Sequence, residues 1–139
     1  MTPASITKRP IDHIAIAVHS IDESRGLYEL LSGQHCSNPE LLEAHGVRVA
    51  FVGSIELLEP LGPETSVGRF LDRRGPSLHH IAYASEDLEG DLTRLDAEGV
   101  ALIDRVPRVG AGGHRVAFLH PSASGGILIE LVERTSAPP

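Results

Sequence analysis

His13-Ile14-Ala15-Ile16-Ala17-Val18 returns further on as His80-Ile81-Ala82-Tyr83-Ala84-Ser85, an offset of 67 (13 to 80). Val47-Arg48-Val49-Ala50-Phe51-Val52 returns at the same offset (47 to 114) as His114-Arg115-Val116-Ala117-Phe118-Leu119. Ile55-Glu56-Leu57-Leu58-Glu59 returns as Ile129-Glu130-Leu131-Val132-Glu133, where the offset is 74 (55 to 129). The second copy therefore carries seven extra residues, around His120-Pro121-Ser122-Ala123-Ser124-Gly125-Gly126. One short match can be chance. Three matches in the same order, two at an identical offset, define an internal repeat.

Working outward from the repeat, each matched segment alternates apolar and other residues over five or six positions, the pattern of a strand. A helical pattern follows the first segment of each copy. In copy one, Ser20-Ile21-Asp22-Glu23 offers a capping box, Leu27, Leu30 and Leu31 an inward apolar stripe, and Gly33 a stop. In copy two, Asp87 caps a helix that carries Leu88, Leu92 and Leu95 and ends at Gly99. Short strands are expected after each helix, near His35 and over Val100 to Ile103. The unit is β-α-β-β-β, twice: module one at about 11–60, a linker at about 61–77 with a short helix around Ser66 to Arg74, and module two at about 78–133. The fold class is α+β, and a chain of 139 residues suits a single domain.

Composition narrows the function. The chain is 41% hydrophobic and 22% charged. Those proportions are ordinary for a globular protein. A net charge of −7 argues against a nucleic-acid binder, which would show a basic face, yet leaves room for an anionic small ligand. The lone cysteine, Cys36, permits no internal disulfide and points to a reducing compartment. Met1 to Lys8 lacks the apolar core of a signal peptide, and no run reaches membrane-spanning length. The expectation is a cytoplasmic protein with no membrane partner.

Strand alternation sends His13, Ala15 and Ala17 to one face and Ile14, Ile16 and Val18 to the other; His80, Ala82 and Ala84 repeat this in copy two. The large apolar face packs under helices, while a histidine beside small alanines leaves room for something. Glu56 lies between Ile55 and Leu57, and Glu130 between Ile129 and Leu131, where a carboxylate is costly unless paired or bound to a metal. Singly, each of these four would read as an ordinary strand residue. Their equivalence under the repeat joins them as ligands of one divalent ion. Imidazoles plus carboxylates suit Co, Mn, Ni or Zn, and four protein ligands on an octahedral ion leave two positions open. His79, beside His80, aligns with Asp12 and reads as a neighbour only.

Paired β-α-β-β-β modules with this ligand placement resemble the vicinal oxygen chelate superfamily, from Ile11 to Glu133. Within it, the methylmalonyl-CoA epimerase group is most similar. The segments that carry the resemblance are Ile11-Asp12-His13-Ile14-Ala15, Ile55-Glu56-Leu57-Leu58-Glu59-Pro60, Leu78-His79-His80-Ile81-Ala82, Phe118-Leu119-His120-Pro121 and Gly126-Ile127-Leu128-Ile129-Glu130-Leu131. The resemblance implies a cup-shaped eight-stranded mixed sheet with the helices outside, and a metal held by His13, Glu56, His80 and Glu130, although some relatives carry Gln at the Glu56 position. It implies epimerisation at C2 of a methylmalonyl-CoA thioester through a metal-stabilised enolate, with Glu130 as a catalytic base, and a homodimer. The chain departs from part of the family at Val49, where some members have a second catalytic Glu; Glu43, His45 and His120 are the alternatives. Arg69, Arg73, Arg74 and Arg108 read as ordinary charges, and the CoA contacts are not placed.

The nearest competing reading is a glyoxalase-I-type lactoylglutathione lyase, which uses the same two-His, two-Glu set but usually an Asp-Pro-(Asp/Asn)-Gly turn. This chain has His120-Pro121-Ser122 there. An extradiol dioxygenase or a fosfomycin-modifying enzyme leaves Glu56 unexplained. A metal-free drug-binding protein of the bleomycin-resistance kind expects stacking aromatics, and this chain has three Phe, two Tyr and no Trp.

Overall fold

The computed structural model describes residues 8–135, so the readings of residues 1–7 and 136–139 lie outside it. Among the described residues, eight strands and three α-helices form an α+β fold with a mixed sheet. The chain divides into two compact units, residues 13–79 and the residues from 80 on together with the segment through Asp12.

The first module comprises β1 (Ile11–Ala17), α1 (Ile21–Ser32), β2 (Glu40–Leu42), β3 (Val47–Val52) and β4 (Ile55–Pro60), followed by α2 (Ser66–Arg74). Its strand order is β2-β3-β4-β1, with β1 parallel to β4 and the other pairs antiparallel. The second comprises β5 (Ser77–Ala84), α3 (Leu88–Ala97), β6 (Arg108–Val109), β7 (Arg115–Leu119) and β8 (Leu128–Glu133). Its order is β5-β8-β7-β6, again with one parallel pair, β5 and β8. The repeat read from the sequence survives in the register. Ala15 and Phe51 flank Glu56 on the neighbouring strands, and Ala82 and Phe118 flank Glu130 in the same way.

The helices cover the faces expected of them. Ile21 packs with Val18, Ala50, Val52 and Leu57 in one core, and Leu88 and Leu92 pack with Ala117 and Leu131 in the other. The linker helix α2 has the expected bounds, and Ser20, Thr65 and Asp87 accept hydrogen bonds from the amides of Glu23, Gly68 and Gly90. An outward carboxylate also caps a helix in each module. Glu59 accepts the Ile21 N–H at 2.8 Å and meets Arg48 across the ladder at 3.0 Å, while Glu133 accepts the Leu88 N–H at 2.8 Å beside Arg115.

Three expectations are corrected. Leu27, Leu30 and Leu31 do not face the sheet; they are 59%, 80% and 74% exposed. The side of α1 that packs inward carries Ile21 and Tyr28, because Glu59 holds its first turn and Glu29 accepts the Cys36 N–H at its last. The second strand lies at Glu40–Leu42 and not near His35, since Ser37 Oγ takes the Phe51 N–H at 2.8 Å and Pro39 has no N–H to give. After α3, Val100 to Ile103 forms only an isolated bridge from Leu102 to Leu119, and the strand itself is two residues, Arg108–Val109. There Asp104 Oδ2 takes the Phe118 N–H at 2.9 Å, the counterpart of Ser37 in the first module. Among the described residues, no helix is long and apolar enough to cross a membrane.

Candidate metal centre

Each module builds one histidine–carboxylate pair from its first and last strands. His13 on β1 and Glu56 on β4 are buried, with Nε2 3.3 Å from Oε1. His80 on β5 and Glu130 on β8 are buried likewise, at 3.2 Å. A phenylalanine from the adjoining strand meets each imidazole edge-on. Phe51 stands 5.5 Å from His13 at 90°, and Phe118 stands 5.4 Å from His80 at 88°. Each Phe lies opposite its Glu in register, and its amide is tied down by Ser37 or Asp104, so ring, carboxylate and imidazole are set by one stretch of ladder.

His13, His80 and Glu130 form a buried group that could hold a metal ion: each offers one ligand atom, and these atoms lie within 4.8 Å of one another. Glu56 is outside that trio and meets His13 within its own module. A charge-assisted N–H···O bond closes to about 2.7–2.9 Å, and the pairs at 3.2 and 3.3 Å are wider than that. Neutral imidazole with carboxylate is a donor set for divalent first-row ions. The residues therefore fit the group.

The remaining sequence candidates stand apart from the trio. Val49 is buried on β3 opposite Leu58, and its counterpart Val116 is opposite Val132, so both walls are apolar there. Glu43 is exposed and His45 half-buried in a single 3-10 turn, Glu43–His45. His120 is exposed, with Nδ1 accepting the Ser122 N–H at 3.1 Å. His79 packs edge-on against Phe70 at 4.8 Å, a neighbour as expected. Arg108 pairs with Asp104 at 3.1 Å and lies 5.9 Å from the Phe118 ring centre. The two phenylalanines beside the imidazoles are what sequence reasoning does not single out, although Phe51 and Phe118 recur at the offset of the repeat, which is the available signal.

The paired modules, each closing on a buried histidine and glutamate, define a class, and the family comparison agrees with it. The chain belongs to the Glyoxalase/Bleomycin resistance protein/Dioxygenase superfamily, whose model matches residues 12–118. Within that family it is similar to the mitochondrial methylmalonyl-CoA epimerase of Dictyostelium discoideum, 39% identical over 130 residues, covering 89% of this chain and 78% of that one. It is 43% identical over 127 residues to the uncharacterised Bacillus subtilis protein YqjC, covering 88% and 91%. A solved methylmalonyl-CoA epimerase in complex with methylmalonyl-CoA and ammonium superposes with a TM-score of 0.87 at 34% identity, covering 94% of this chain and 97% of that one.

Proposed function

We propose that this chain is a metal-dependent epimerase that interconverts the C2 epimers of methylmalonyl-CoA. The observation that carries the reading is the buried histidine–carboxylate pair repeated at equivalent positions in both modules. The epimerases among its relatives supply the substrate class. His13, Glu56, His80 and Glu130 hold one divalent ion, Co, Mn, Ni or Zn. When bound, that ion acts as a Lewis acid toward oxygens of the substrate. The C2 proton lies between a carboxylate and a thioester carbonyl, and polarisation of those oxygens would bring its acidity within reach of a carboxylate base. Glu130 removes it; this carboxylate is buried on β8, in register with Ala82 on β5.

The same reading makes the protein a cytoplasmic homodimer. The exposed leucines of α1 are apolar surface available for a second copy, and the half-buried free thiol of Cys36 suits a reducing compartment. Light scattering that finds a monomer at micromolar concentration rejects the dimer.

Incubating methylmalonyl-CoA with the protein in deuterated water tests the activity. Deuterium should enter C2 as the epimers equilibrate, and Glu130→Gln should slow turnover by about 10²–10⁴-fold, the usual contribution of a general base. A wild-type protein that leaves the thioester unchanged and isomerises methylglyoxal–glutathione hemithioacetal would be a lyase of the glyoxalase kind.

A further inference from the structure

The substrate assigned above carries a carboxylate on C2, and it must be held beside a buried glutamate, Glu130, of the same charge. A cation with donors to spare on that wall is the complement such a group needs. We propose that Arg108 binds the acyl carboxylate and so selects carboxyl-bearing acyl thioesters over plain ones. The inference rests on the epimerase reading and deepens it, by naming a specificity residue within the second module.

Arg108 lies on β6 opposite Val116, which is opposite Val132 on β8. Alternation sets Val116 and Phe118 on one face of β7 and Ala117 on the other, where Ala117 packs with Leu88 and Leu92 of α3. Arg108 is thus on the sheet face turned away from α3, together with Phe118 and its register partner Glu130. Its guanidinium carbon lies 5.9 Å from the centre of the Phe118 ring, and that ring stands 5.4 Å from the His80 imidazole. Glu130 is two strands and two residues away, roughly 12 Å between Cα atoms by the spacing of a sheet. The arginine stem covers part of that distance along the phenyl ring.

Asp104 holds Arg108 by Nε, at 3.1 Å, so the outer nitrogens of the fork, Nη1 and Nη2, can take a carboxylate through two parallel bonds. Asp104 is fixed in turn by the Phe118 N–H at 2.9 Å, which positions fork and ring together. Arg134, which alternation carries onto the same face one residue past β8, is already taken up by Asp12, at 2.7 and 2.8 Å.

The repeat supports the assignment by breaking at this position. Val116 is the counterpart of Val49 at the offset of 67 (49 to 116), and the residue opposite Val49 is Glu40. Histidine, glutamate, phenylalanine and valine are kept in both modules, but the residue opposite the valine is an acid in one and a cation in the other. Matched donors suit a single ion. A substrate with a carboxylate at one end and a thioester at the other is not symmetric, and the unmatched cation marks the end it holds.

Methylmalonyl-CoA and propionyl-CoA differ by the carboxylate alone, so their affinity ratio reads the contact. Calorimetry measures both on metal-loaded wild type and on Arg108→Gln, with metal content and melting temperature taken on the same samples. Wild type should favour methylmalonyl-CoA. Arg108→Gln should lower that preference by about 10–100-fold, the worth of a hydrogen bond to a charged group, with propionyl-CoA affinity unchanged. Arg108→Lys, which keeps the charge and loses the fork, should fall between the two and serves if the Gln variant does not fold. The same acyl groups on pantetheine, which lacks the phosphates of CoA, should show the same drop. A drop that vanishes there assigns Arg108 to the phosphates and overturns the proposal. It is overturned equally if wild type shows no preference, or if Arg108→Gln weakens both thioesters alike, as a purely structural residue would, or weakens neither. A wild type that prefers methylmalonyl-CoA yet never exchanges or inverts C2 removes the epimerase reading and leaves the carboxylate site standing.

Discussion

Asp91 shows how a buried acid with a structural task differs from the two assigned to the metal centre. It is 3% exposed on α3, as hidden as Glu56 and Glu130, but its partners are permanent cations. Arg9 donates to both of its oxygens, at 3.0 and 2.6 Å, Arg94 donates at 2.8 Å, and the Ser85 hydroxyl adds a third donor. Burial pushes the carboxyl up, yet the hydrogen bonds from Arg9, Ser85 and Arg94 outweigh it and hold it well below the usual range. The network ties the segment before β1 to α3. A depressed folded-state value adds stability above the unfolded value, about pH 4, and loses it as pH falls toward the folded one. Asp91→Asn should therefore cost about 3 kcal/mol at pH 7, as for a broken buried ion pair, and the gap to wild type should narrow below about pH 4. Urea unfolding at pH 7 and pH 3 measures both; an unchanged gap at pH 3 would show that the ionised carboxylate is not the source.

At the scale of elements, what is legible in the sequence follows from what encodes each one. The long strands, and the equivalence of the two histidine–glutamate pairs, are legible because the repeat writes them twice; α2 is legible because Thr65 and Gly75 bracket it. The strands after α1 and α3 are not, because Ser37 and Asp104 side chains occupy ladder positions that periodicity assigns to backbone. The inward face of α1 is hidden too, because leucine spacing competes with anchors at its ends, Glu59 at Ile21 and Glu29 at Cys36, and the anchors set the rotation. That rotation has a consequence at Gly26, in the middle of α1, where an added Cβ would meet nothing within 4 Å. Nothing in the packing of the described residues requires a glycine there, and glycine costs a helix interior roughly 0.5–1 kcal/mol relative to alanine. Gly26→Ala should raise stability by about that amount in denaturant titration. A loss of stability would mean that α1 is covered by something for which a methyl group is too large, such as a second copy of the chain.

For the whole molecule, the repeat makes metal binding and folding the same question. The proposed ligands run from His13 to Glu130, so they can meet only when both modules are formed, and an ion that needs all of them binds the folded chain alone. The sequence can reveal which residues are equivalent, but not how closely they gather, because spacing along a strand carries no information about spacing across strands. The test is linkage. An ion supplied at about 100 times its dissociation constant stabilises the folded state by about 2.7 kcal/mol, which for a chain of this size is a rise of roughly 10 °C in melting temperature. Cobalt or zinc added to metal-free wild type should produce such a rise, and a chelator should reverse it. His13→Ala and His80→Ala should each abolish the rise, although the two residues come from different modules, because removing either donor leaves the other module's pair short of an ion's needs. If both variants melt higher with metal by as much as wild type does, the ion binds elsewhere and the four residues are a structural core pair in each module. If one variant keeps the rise and the other loses it, the centre belongs to a single module and the repeat has been inherited without being used.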